Sequence, residues 1–417
     1  MKYQNVRGTH DLYGELLEKF NKVESVTKNL ATAYNFKEIR TPIFEFASVF
    51  EKNVGEGTDI IGKEMYIFED RSGEKMALRP EGTAPVVRSL ISNGLTHKLP
   101  LKYFYMGPMF RYERPQKGRQ RQFHQLGFEY LGTNHYSSDI EMINLALDIL
   151  KNLGIHKYKL IINSIGSLES LNSYKKSLVD FLTTKKDSLS EDSVNRLITN
   201  PLRILDSKSP QDKEIIEHAP KITNYLIPQD KAFFESVKKG LRDLNIEYIE
   251  EPTLVRGLDY YTHTVFEIIT DELGAQGTLI AGGRYNNMIK QMGGVDTGAF
   301  GFAGGIERLS LMVDVGEKIQ KTIAMISSKQ EQDSYVLSLA KNIREANFGA
   351  SFILGKDVSS KLKKVTQEEF FCTIIIGEAE ANSGNLNIKD AITREQFSIK
   401  EENLVEFLNS QYKTYKI

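Results

Sequence analysis

Cysteine is nearly absent from this sequence, in which Cys372 is the single one among 417 residues. One cysteine cannot form an intrachain disulfide or a multi-cysteine zinc site. It is typical of a protein from a reducing compartment, so we expect the cytoplasm. The seven histidines show no metal-ligand spacing, so no metal held by side chains is expected. No stretch approaches the roughly 20 apolar residues that cross a bilayer, and no signal-peptide pattern is present, so we expect no membrane partner.

An excess of charge of one sign is also missing. Lysine and arginine number 54 against 55 aspartate and glutamate, which gives a formal net charge of −1. No global basic field therefore indicates a nucleic-acid partner, and any RNA contact must come from local patches. Hydrophobic residues make up 40% and charged residues 26%, the balance of an ordinary globular protein. A chain of this length usually divides into two or three domains.

The first hundred residues carry helix and strand signals in turn. Apolar residues at helical spacing predict a helix over 16–34. A strand-like run over 36–46 is interrupted by Pro42, which donates no ladder hydrogen bond and belongs at a strand edge or a bend. Two short runs, 65–68 and 76–79, flank a polar turn and predict a β-hairpin.

A second hairpin and a helix follow. Residues 101–112 and 122–131 are strand candidates, and the loop between them is rich in arginine, glutamine and glycine. Consecutive hairpins favour an antiparallel sheet over a parallel one. Ser138 and Asp139 are predicted to cap a helix that runs to about Leu153.

The rest of the chain changes character twice. From about 166 to 245 it is rich in lysine, serine and leucine at helical spacing, which predicts a helical insertion. Strand signals return over 253–305, before a helix that starts at Ile306. Beyond about 321, short buried strands alternate with polar helices and predict a separate small α/β domain. These strands are 323–326, 350–354 and 372–376.

Polar residues break the strand patterning at three places, and the first is a strand-to-helix junction. This junction contains Glu81, Gly82 and Thr83, and a carboxylate and a hydroxyl there can face a cavity and bind an ammonium group. The alternative is a plain helix start with Thr83 as its cap. That alternative is favoured when the segment is read alone.

The second place is the hairpin with the basic loop. Arginines at alternate strand positions can clamp phosphate through paired N–H donors, and a glycine-bearing basic loop can approach a nucleic-acid backbone. A solvated hairpin tip also explains the loop. It explains Gln125 and Glu129 poorly, because they share strand parity with Phe123, Gly127 and Leu131.

The third place is rich in glycine and arginine. Residues 254–262 contain Arg256, and a glycine-rich strand at 301–305 leads into a helix whose first turn carries Arg308. Glycines let a planar ring lie against the backbone, and an arginine can stack on the ring or bind its phosphates. The spacing matches neither the P-loop nor the dinucleotide fingerprint. No serine or cysteine is paired with an activating base, so electrostatic catalysis by arginines is indicated, with His124 in a structural or tRNA-facing role.

Together these segments resemble the class II aminoacyl-tRNA synthetases and, more specifically, the histidyl-tRNA synthetase family. Pro42, 110–113 and 301–309 stand where the class has its motifs 1, 2 and 3. Four strings are similar to segments characteristic of histidyl-tRNA synthetases. They are RGTHD at 7–11, NPLRILD at 200–206, LVRGLDYY at 254–261 and AGGRY at 281–285.

The resemblance implies an α+β fold and an activity. A six-stranded antiparallel sheet flanked by helices would occupy 1–320, with the helical insertion at about 166–248 and an anticodon-binding α/β domain at 321–417. Motif 1 implies a homodimer. The implied reaction uses ATP and Mg²⁺ to activate L-histidine as histidyl-adenylate, releases pyrophosphate, and transfers histidine to the 3′ end of tRNA(His).

The resemblance also assigns roles to single residues. The histidine site comprises Glu81, Gly82, Thr83, Gln125, Glu129, Tyr260 and Tyr261. In it, Glu81, Thr83 and Gln125 hold the α-ammonium group. Glu129 and Tyr261 address the imidazole, and Tyr260 lines the pocket. The ATP site comprises the catalytic pair Arg111 and Arg256 at the α-phosphate, Glu113 at the adenine amino group and Arg308 on the γ-phosphate side. The motif 2 loop reaches the tRNA acceptor end with Lys117, Arg119, Gln120 and Arg121.

Three positions depart from the family pattern. The family commonly has Asp-Gly where Asn286 and Asn287 stand, methionine where Gly304 stands, and an aromatic where Gln120 stands. The first departure bears on the local turn, and the last bears on how the acceptor end of the tRNA is read.

The tail domain is not basic overall. From residue 321 onward, 11 lysines and 2 arginines face 10 glutamates and 3 aspartates. Contact with an anticodon stem therefore needs a local patch, such as Lys361, Lys363 and Lys364. The alternative for these three lysines is a solvated helix face.

Three other functions compete with the ligase. The regulatory subunit of ATP phosphoribosyltransferase resembles the catalytic domain alone, without the anticodon-binding domain and without the segment that contains Arg256. A class II synthetase for another amino acid would keep the class motifs but not residues 256–261. An RNA-binding protein with an inactive site is disfavoured because every candidate catalytic position is filled.

Overall fold

The computed structural model describes residues 3–54, 58, 60–115, 118–274, 277–316 and 321–414. The chain divides into two compact units, Met1–Val315 and Gly316–Ile417, and each has a hydrophobic core of its own. Among the described helices, none has the length and apolar character that a membrane crossing needs.

The first unit is built on two sheets. Its strands are β1 Lys37–Glu38, β2 Phe44–Phe46, β3 Ile67–Glu69, β4 Lys75–Leu78, β5 Leu101–Phe110, β6 Gln122–Leu131, β7 Lys159–Ser164, β8 Ile249–Glu250, β9 Thr262–Ile269, β10 Thr278–Arg284 and β11 Ala299–Gly305. The large sheet has the order β1-β5-β6-β11-β10-β9-β7-β8. Its six central strands are antiparallel, as the resemblance implied. The edge strand β1 lies within the run predicted at 36–46, whereas the edge strand β8 was not predicted, and the parallel pairing of both was not expected.

The small sheet has the order β2-β4-β3 and contains the hairpin predicted at 65–79. Pro42 precedes β2, so the bend predicted there is present. Opposite residues in the register share a face, which places apolar side chains on one side of this sheet. We call this side the apolar sheet face, and it consists of Phe44, Phe46, Phe68, Met76 and Leu78.

The helices of the first unit cover the large sheet and form the insertion. They are α1 Gly14–Ala33, α2 Ser48–Val54, α3 Thr83–Ser92, α4 Tyr136–Asn152, α5 Leu168–Thr183, α6 Glu191–Thr199, α7 Pro210–Glu217, α8 Pro228–Asp243, α9 Met288–Gln291 and α10 Ile306–Ser310. The predicted helix over 16–34 corresponds to α1, which buries Phe20, Val23 and Ala31. Asn35 follows with φ of 58°, a left-handed conformation that asparagine tolerates and that ends the helix.

The start of α4 differs from the prediction. The helix begins at Tyr136, and the ring of His135 caps it by accepting a hydrogen bond from the backbone N–H of Ser137 at 3.2 Å. Ser138 and Asp139 lie inside the first turn and are buried against Arg284. The predicted cap was therefore wrong, because these two polar residues serve a tertiary contact.

The two faces of the large sheet have different environments. Along β6, Leu126 and Phe128 pack into the core beneath α1, α4 and α8. Gln125 and Glu129 alternate with them and point to the opposite face, as their parity predicted. That opposite face carries the candidate site.

The predicted insertion is helical, with α5 to α8 joined by short 3₁₀ turns. Its last helix, α8, contacts α4, and it buries Phe234, Val237 and Leu241 in the core beneath the sheet. One helix of the insertion therefore packs directly against the core of the large sheet.

The second unit is a five-stranded sheet with helices. Its elements are β12 Thr322–Ser327, α11 Asp333–Glu345, β13 Gly349–Phe352, α12 Val358–Val365, β14 Cys372–Ile376, α13 Glu378–Ser383, β15 Asn385–Asp390, β16 Gln396–Lys400 and α14 Leu404–Thr414. The three predicted strands are the parallel strands β13, β12 and β14. The antiparallel hairpin of β15 and β16 was not predicted.

The lysine patch on α12 also differs from expectation. Lys361 is buried, and its ammonium group donates to the backbone carbonyl of Ser327 at 2.8 Å. Lys364 donates to the carbonyl of Leu354 at 2.7 Å. Lys361 therefore ties α12 to β12, and it is part of neither an anticodon-facing patch nor a solvated face.

Candidate active site

A cavity of about 200 Å³ opens on the polar face of the large sheet. It brings together residues that lie up to 227 positions apart in the chain, from Glu81 to Arg308. The sequence-predicted residues that line it are Glu81, Thr83, Arg111, Glu113, Arg119, Gln120, Gln125, Arg256, Tyr260, Tyr261 and Arg308. Carboxylates and tyrosines are therefore joined to arginines in one continuous space.

The junction between β4 and α3 supplies the first carboxylate. Glu81 accepts hydrogen bonds from the backbone N–H groups of Thr83 and Ala84, both at 2.8 Å, so this buried carboxylate caps α3. The alternative in which Thr83 caps the helix is wrong, because the Thr83 hydroxyl donates to Glu129 instead. Burial raises the pKa of Glu81. Each Glu81 oxygen keeps a lone pair for a ligand.

Glu129 lies fully buried beside that junction. One carboxylate oxygen accepts from the Thr83 hydroxyl at 2.7 Å, and the other accepts from the Tyr285 hydroxyl. Burial raises the pKa of Glu129 to about 8. Gly301 leaves the space that this carboxylate occupies, because a Cβ atom there would lie 1.8 Å from the Glu129 oxygen.

Tyrosine rings form the wall next to these carboxylates. The ring centroids of Tyr260 and Tyr261 lie 4.6 Å apart, and those of Tyr260 and Tyr285 lie 5.7 Å apart. All three rings are buried. The side-chain amide oxygen of Gln125 is buried in the same cavity and has no hydrogen-bond partner among the described residues. Aromatic rings therefore form the walls at this end of the cavity, and polar atoms lie at fixed positions among them.

Arg111 and Glu113 extend from β5 at the other end of the cavity. Arg111 donates from Nε to the carbonyl of Pro80 at 2.9 Å, and its guanidinium lies 5.2 Å from the centroid of the Phe123 ring. Glu113 is buried 3.9 Å from Arg111 and forms an ion pair with Arg119. Backbone and ring contacts thus fix the guanidinium while it still lines the cavity.

Arg256 and Arg308 line the cavity from other elements. Arg256 forms an ion pair with Glu267 on β9, and its Nε is buried without a hydrogen-bond partner among the described residues. Burial acts to lower the pKa of Arg256, but Glu267 together with Tyr261 and Tyr260 outweighs it, and the net direction is upward. Arg308 donates to the carbonyls of Thr278 and Gly118 at 2.9 and 3.2 Å. Three fixed cations therefore surround this end.

The motif 2 loop is only partly in the cavity. Arg119 and Gln120 line it, whereas Lys117 lies outside the described residues. Arg121 does not line it, because its guanidinium lies 3.8 Å from the Tyr112 ring centroid and its backbone N–H donates to Gly8 at 2.8 Å. Arg121 therefore fastens the loop to the RGTHD segment.

His124 makes structural contacts, which was one of the two roles predicted for it. Glu307 accepts from the His124 backbone N–H at 2.9 Å and lies 3.0 Å from its Nδ1. The imidazole also packs edge-on against Phe20, with centroids 5.6 Å apart. These contacts join β6 to α10, the helix that carries Arg308.

The turn with the unusual asparagines is well supported. Asn286 accepts from the Arg284 guanidinium at 3.2 Å, and its backbone N–H donates to the Thr262 hydroxyl at 3.1 Å. Asn287 immediately precedes the short helix α9. Gly304 is the position in motif 3 that departs from the family pattern. A Cβ atom at Gly304 would lie 3.0 Å from Ile280 and 3.2 Å from Leu279, so a larger side chain there must displace these residues.

Sequence reasoning missed three residues of the site, which are Tyr105, Glu267 and Tyr285. Glu267 had a usable signal, because it is an acidic residue within the apolar run of β9. Tyr285 stood in the AGGRY string without an assigned role. Among the described residues, no group of three or more histidine, cysteine, aspartate or glutamate side chains is arranged to hold a metal ion.

Known proteins that resemble this chain agree with one another. A model of the histidyl-tRNA synthetase family matches residues 8–309, and a model of an anticodon-binding domain matches residues 320–411. The histidine–tRNA ligase of Wolbachia pipientis subsp. Culex pipiens (strain wPip) is 45% identical over 407 residues, covering 97% of this chain and 100% of that protein. The ligase of Gluconobacter oxydans (strain 621H) is 41% identical and covers 98% of both chains.

A solved structure gives the same answer for the fold. The apo histidyl-tRNA synthetase of S. aureus superimposes with a TM-score of 0.82 at 34% sequence identity. The match covers 98% of this chain and 100% of that one. The antiparallel sheet, the flanking helices and the C-terminal anticodon-binding domain are therefore those of the family. The chain belongs to the histidyl-tRNA synthetase family.

Proposed function

We propose that this chain joins L-histidine to ATP to form histidyl-adenylate and pyrophosphate, and then transfers histidine to the 3′ end of tRNA(His). As a member of its family it is an ATP-dependent aminoacyl-tRNA synthetase. The observation that supports the residue roles below is the continuous cavity, which joins a pocket of carboxylates and tyrosines to three arginines.

Histidine binds at the carboxylate end. The α-ammonium group lies against Glu81, beside Gly82, with the Thr83 hydroxyl and the unpaired Gln125 oxygen in reach. Glu129 and the Tyr261 hydroxyl address the two imidazole nitrogens, of which one is a donor and one an acceptor in the neutral ring. Tyr260 lines the pocket. An amino acid without these nitrogens leaves buried polar groups unpaired, and discrimination of about 10⁴–10⁵ follows without editing.

ATP binds at the arginine end. Arg111 and Arg256 flank the α-phosphate, Glu113 accepts from the adenine amino group, and Arg308 lies toward the γ-phosphate. Attack of the histidine carboxylate on the α-phosphorus builds negative charge on the phosphate oxygens. Guanidinium groups that are already fixed by Pro80 and Glu267 stabilise that charge without reorganising.

Mg²⁺ would be held in this site together with ATP. It commonly keeps several waters and binds one or two carboxylates together with substrate phosphates. Bound in this way, Mg²⁺ would neutralise charge on the phosphates, and Arg256 and Arg111 would hold the α-phosphate.

The tRNA is held at both ends. The motif 2 loop presents Arg119 and Gln120 beside the cavity and Arg121 next to it, and Lys117 belongs to the same loop. These residues would contact the acceptor end, while residues 321–417 bind the anticodon stem.

The active protein would be a homodimer formed through the apolar sheet face next to Pro42. The cytoplasm would be its compartment, which suits the single buried Cys372.

The competing regulatory-subunit function has less support. It requires the loss of the Arg256 segment and of the anticodon-binding domain. Arg256 lines the cavity here, and a model of the anticodon-binding domain matches residues 320–411.

The test is histidine-dependent exchange of labelled pyrophosphate into ATP by the purified chain, with Mg²⁺ and without tRNA. Exchange should occur with histidine and not with other amino acids. Arg256→Ala should lower it by about 10²–10³, the usual effect of removing one fixed donor to a developing charge. Arg242→Ala is the matched control, because Arg242 is exposed and bonds Tyr248 away from the cavity. No exchange by protein that binds histidine would favour the regulatory-subunit function.

A further inference from the structure

The hydroxyl of Tyr105 is buried and lines the cavity. Tyr105 on β5 is 4% exposed, and its hydroxyl has no hydrogen-bond partner among the described residues. Leaving a buried hydroxyl unpaired costs about 1–3 kcal/mol. Native proteins rarely keep such groups without a reason, and a ligand that completes the bond is one such reason.

Two glycines hold this hydroxyl in place. A Cβ atom at Gly82 or at Gly127 would lie 2.2 Å from the Tyr105 ring, so the ring fills the space that side chains at both positions would take. The hydroxyl itself lies 2.3 Å from the Cβ position of Gly127. The ring is thereby wedged between the β4–α3 junction and β6, and the hydroxyl cannot swing away to find another partner.

The position of Gly127 on β6 indicates which groups surround the Tyr105 hydroxyl. Gly127 lies between Gln125 and Glu129 on the same face of β6, since alternate residues of a strand share a face. Thr83 follows Gly82 directly and bonds Glu129. The Tyr105 hydroxyl is therefore surrounded by the groups assigned to histidine, and it lines the same cavity.

We propose that Tyr105 is a further histidine-binding residue, whose hydroxyl forms its missing hydrogen bond with the bound amino acid. The inference rests on the proposed function, because the occupant of this pocket is taken to be histidine. Burial, with Glu129 and Glu81 nearby, keeps the pKa of Tyr105 well above its ordinary value. The phenol is therefore neutral at physiological pH and can either donate or accept.

The experiment compares Tyr105→Phe with the full-length wild-type chain by calorimetric titration with L-histidine. The dissociation constant for histidine should rise about tenfold, which corresponds to about 1.4 kcal/mol. In pyrophosphate exchange the KM for histidine should rise by a similar factor while the KM for ATP stays the same. The melting temperature of the ligand-free protein should stay close to that of the wild type, because the hydroxyl that is removed has no well-aligned hydrogen-bond partner among the described residues.

Two variants serve as controls. Tyr285→Phe removes a hydroxyl that already bonds Glu129, so it should lower the melting temperature of the ligand-free protein. Tyr103→Phe removes a hydroxyl from the same strand outside the cavity lining and should leave histidine binding unchanged.

The outcomes separate cleanly. An unchanged dissociation constant for Tyr105→Phe would overturn the assignment. Weaker histidine binding together with a lower melting temperature of the ligand-free protein would overturn it as well. In both cases, pyrophosphate exchange by the wild-type protein would still support the proposed function. Wild-type protein that neither binds histidine nor exchanges pyrophosphate would overturn both.

Discussion

Glu129 has no exposed surface, and the pKa of its carboxyl is raised by burial to about 8. A glutamate in an unfolded chain has a pKa of about 4.3. Between these two pH values the folded protein holds a proton that the unfolded chain has released. The free energy of unfolding contributed by this group therefore falls as the pH rises from about 4.3 to about 8.

Glu129→Gln should remove that dependence. The amide keeps the shape of the side chain and can still accept from Tyr285, but it does not titrate. We expect the free energy of unfolding of the variant, relative to wild type, to increase between pH 5 and pH 8 by on the order of a few kcal/mol. Urea denaturation of the ligand-free proteins at several pH values measures it. Parallel curves for the two proteins would show that Glu129 is already ionised at pH 5.

Single residues show what the sequence could predict at the site. Strand parity was enough to place Gln125 and Glu129 on the polar face. Parity carries no information on partners that come from elsewhere in the chain. Glu129 and Tyr285 are 156 positions apart, and only the order of strands in the sheet brings them together. The same is true of Tyr105, whose unpaired hydroxyl is visible only when the packing around it is known.

At the scale of elements, one buried ion pair joins α4 to β10. Arg284 is fully buried and bonds Asp139, and it also donates to the carbonyl of Thr133 at 2.6 Å. Asp139→Asn leaves a buried guanidinium without its counter-charge. Removing one partner of such a pair typically costs about 3–5 kcal/mol of stability.

The check is chemical denaturation of Asp139→Asn against Asp296→Asn. Asp296 pairs with Lys290 at 2.7 Å, but both side chains are more than 60% exposed, and such pairs contribute about 1 kcal/mol or less. A loss of similar size in both variants would mean that the buried pair does not hold α4 on the sheet.

Elements with a periodic pattern of apolar residues were predicted well. Elements whose bounds or pairing depend on contacts with distant parts of the chain were not. The spacing of apolar residues located α1 and the hairpin β5–β6 within a few positions. The cap of α4 was misplaced because Ser138 and Asp139 have the side chains of capping residues, yet Arg284 binds them. The edge strand β8 has two residues, too few for any periodic signal, and nothing in the run at 36–46 indicated that β1 pairs in parallel with β5.

At the scale of the whole molecule, the apolar sheet face is exposed in the single chain. Phe44 and Phe46 are 53% and 52% exposed, and Phe68 is 43% exposed. Contiguous apolar surface of this kind usually marks an interaction site. The face adjoins Pro42, where the family resemblance places motif 1, and a second copy of the chain is the partner that this resemblance implies.

Phe46→Glu places a charge on that face, next to Met76 of the central strand β4. The side chain is half exposed in the single chain, so the fold should tolerate it, whereas a dimer interface would have to bury an unpaired carboxylate. We expect the wild-type chain to sediment as a dimer and the variant as a monomer at micromolar concentration. Ile198→Glu is the matched control, because Ile198 is 83% exposed on α6 and its substitution should leave the dimer intact. A wild-type monomer, or a Phe46→Glu variant that remains a dimer, would assign the apolar sheet face to another partner.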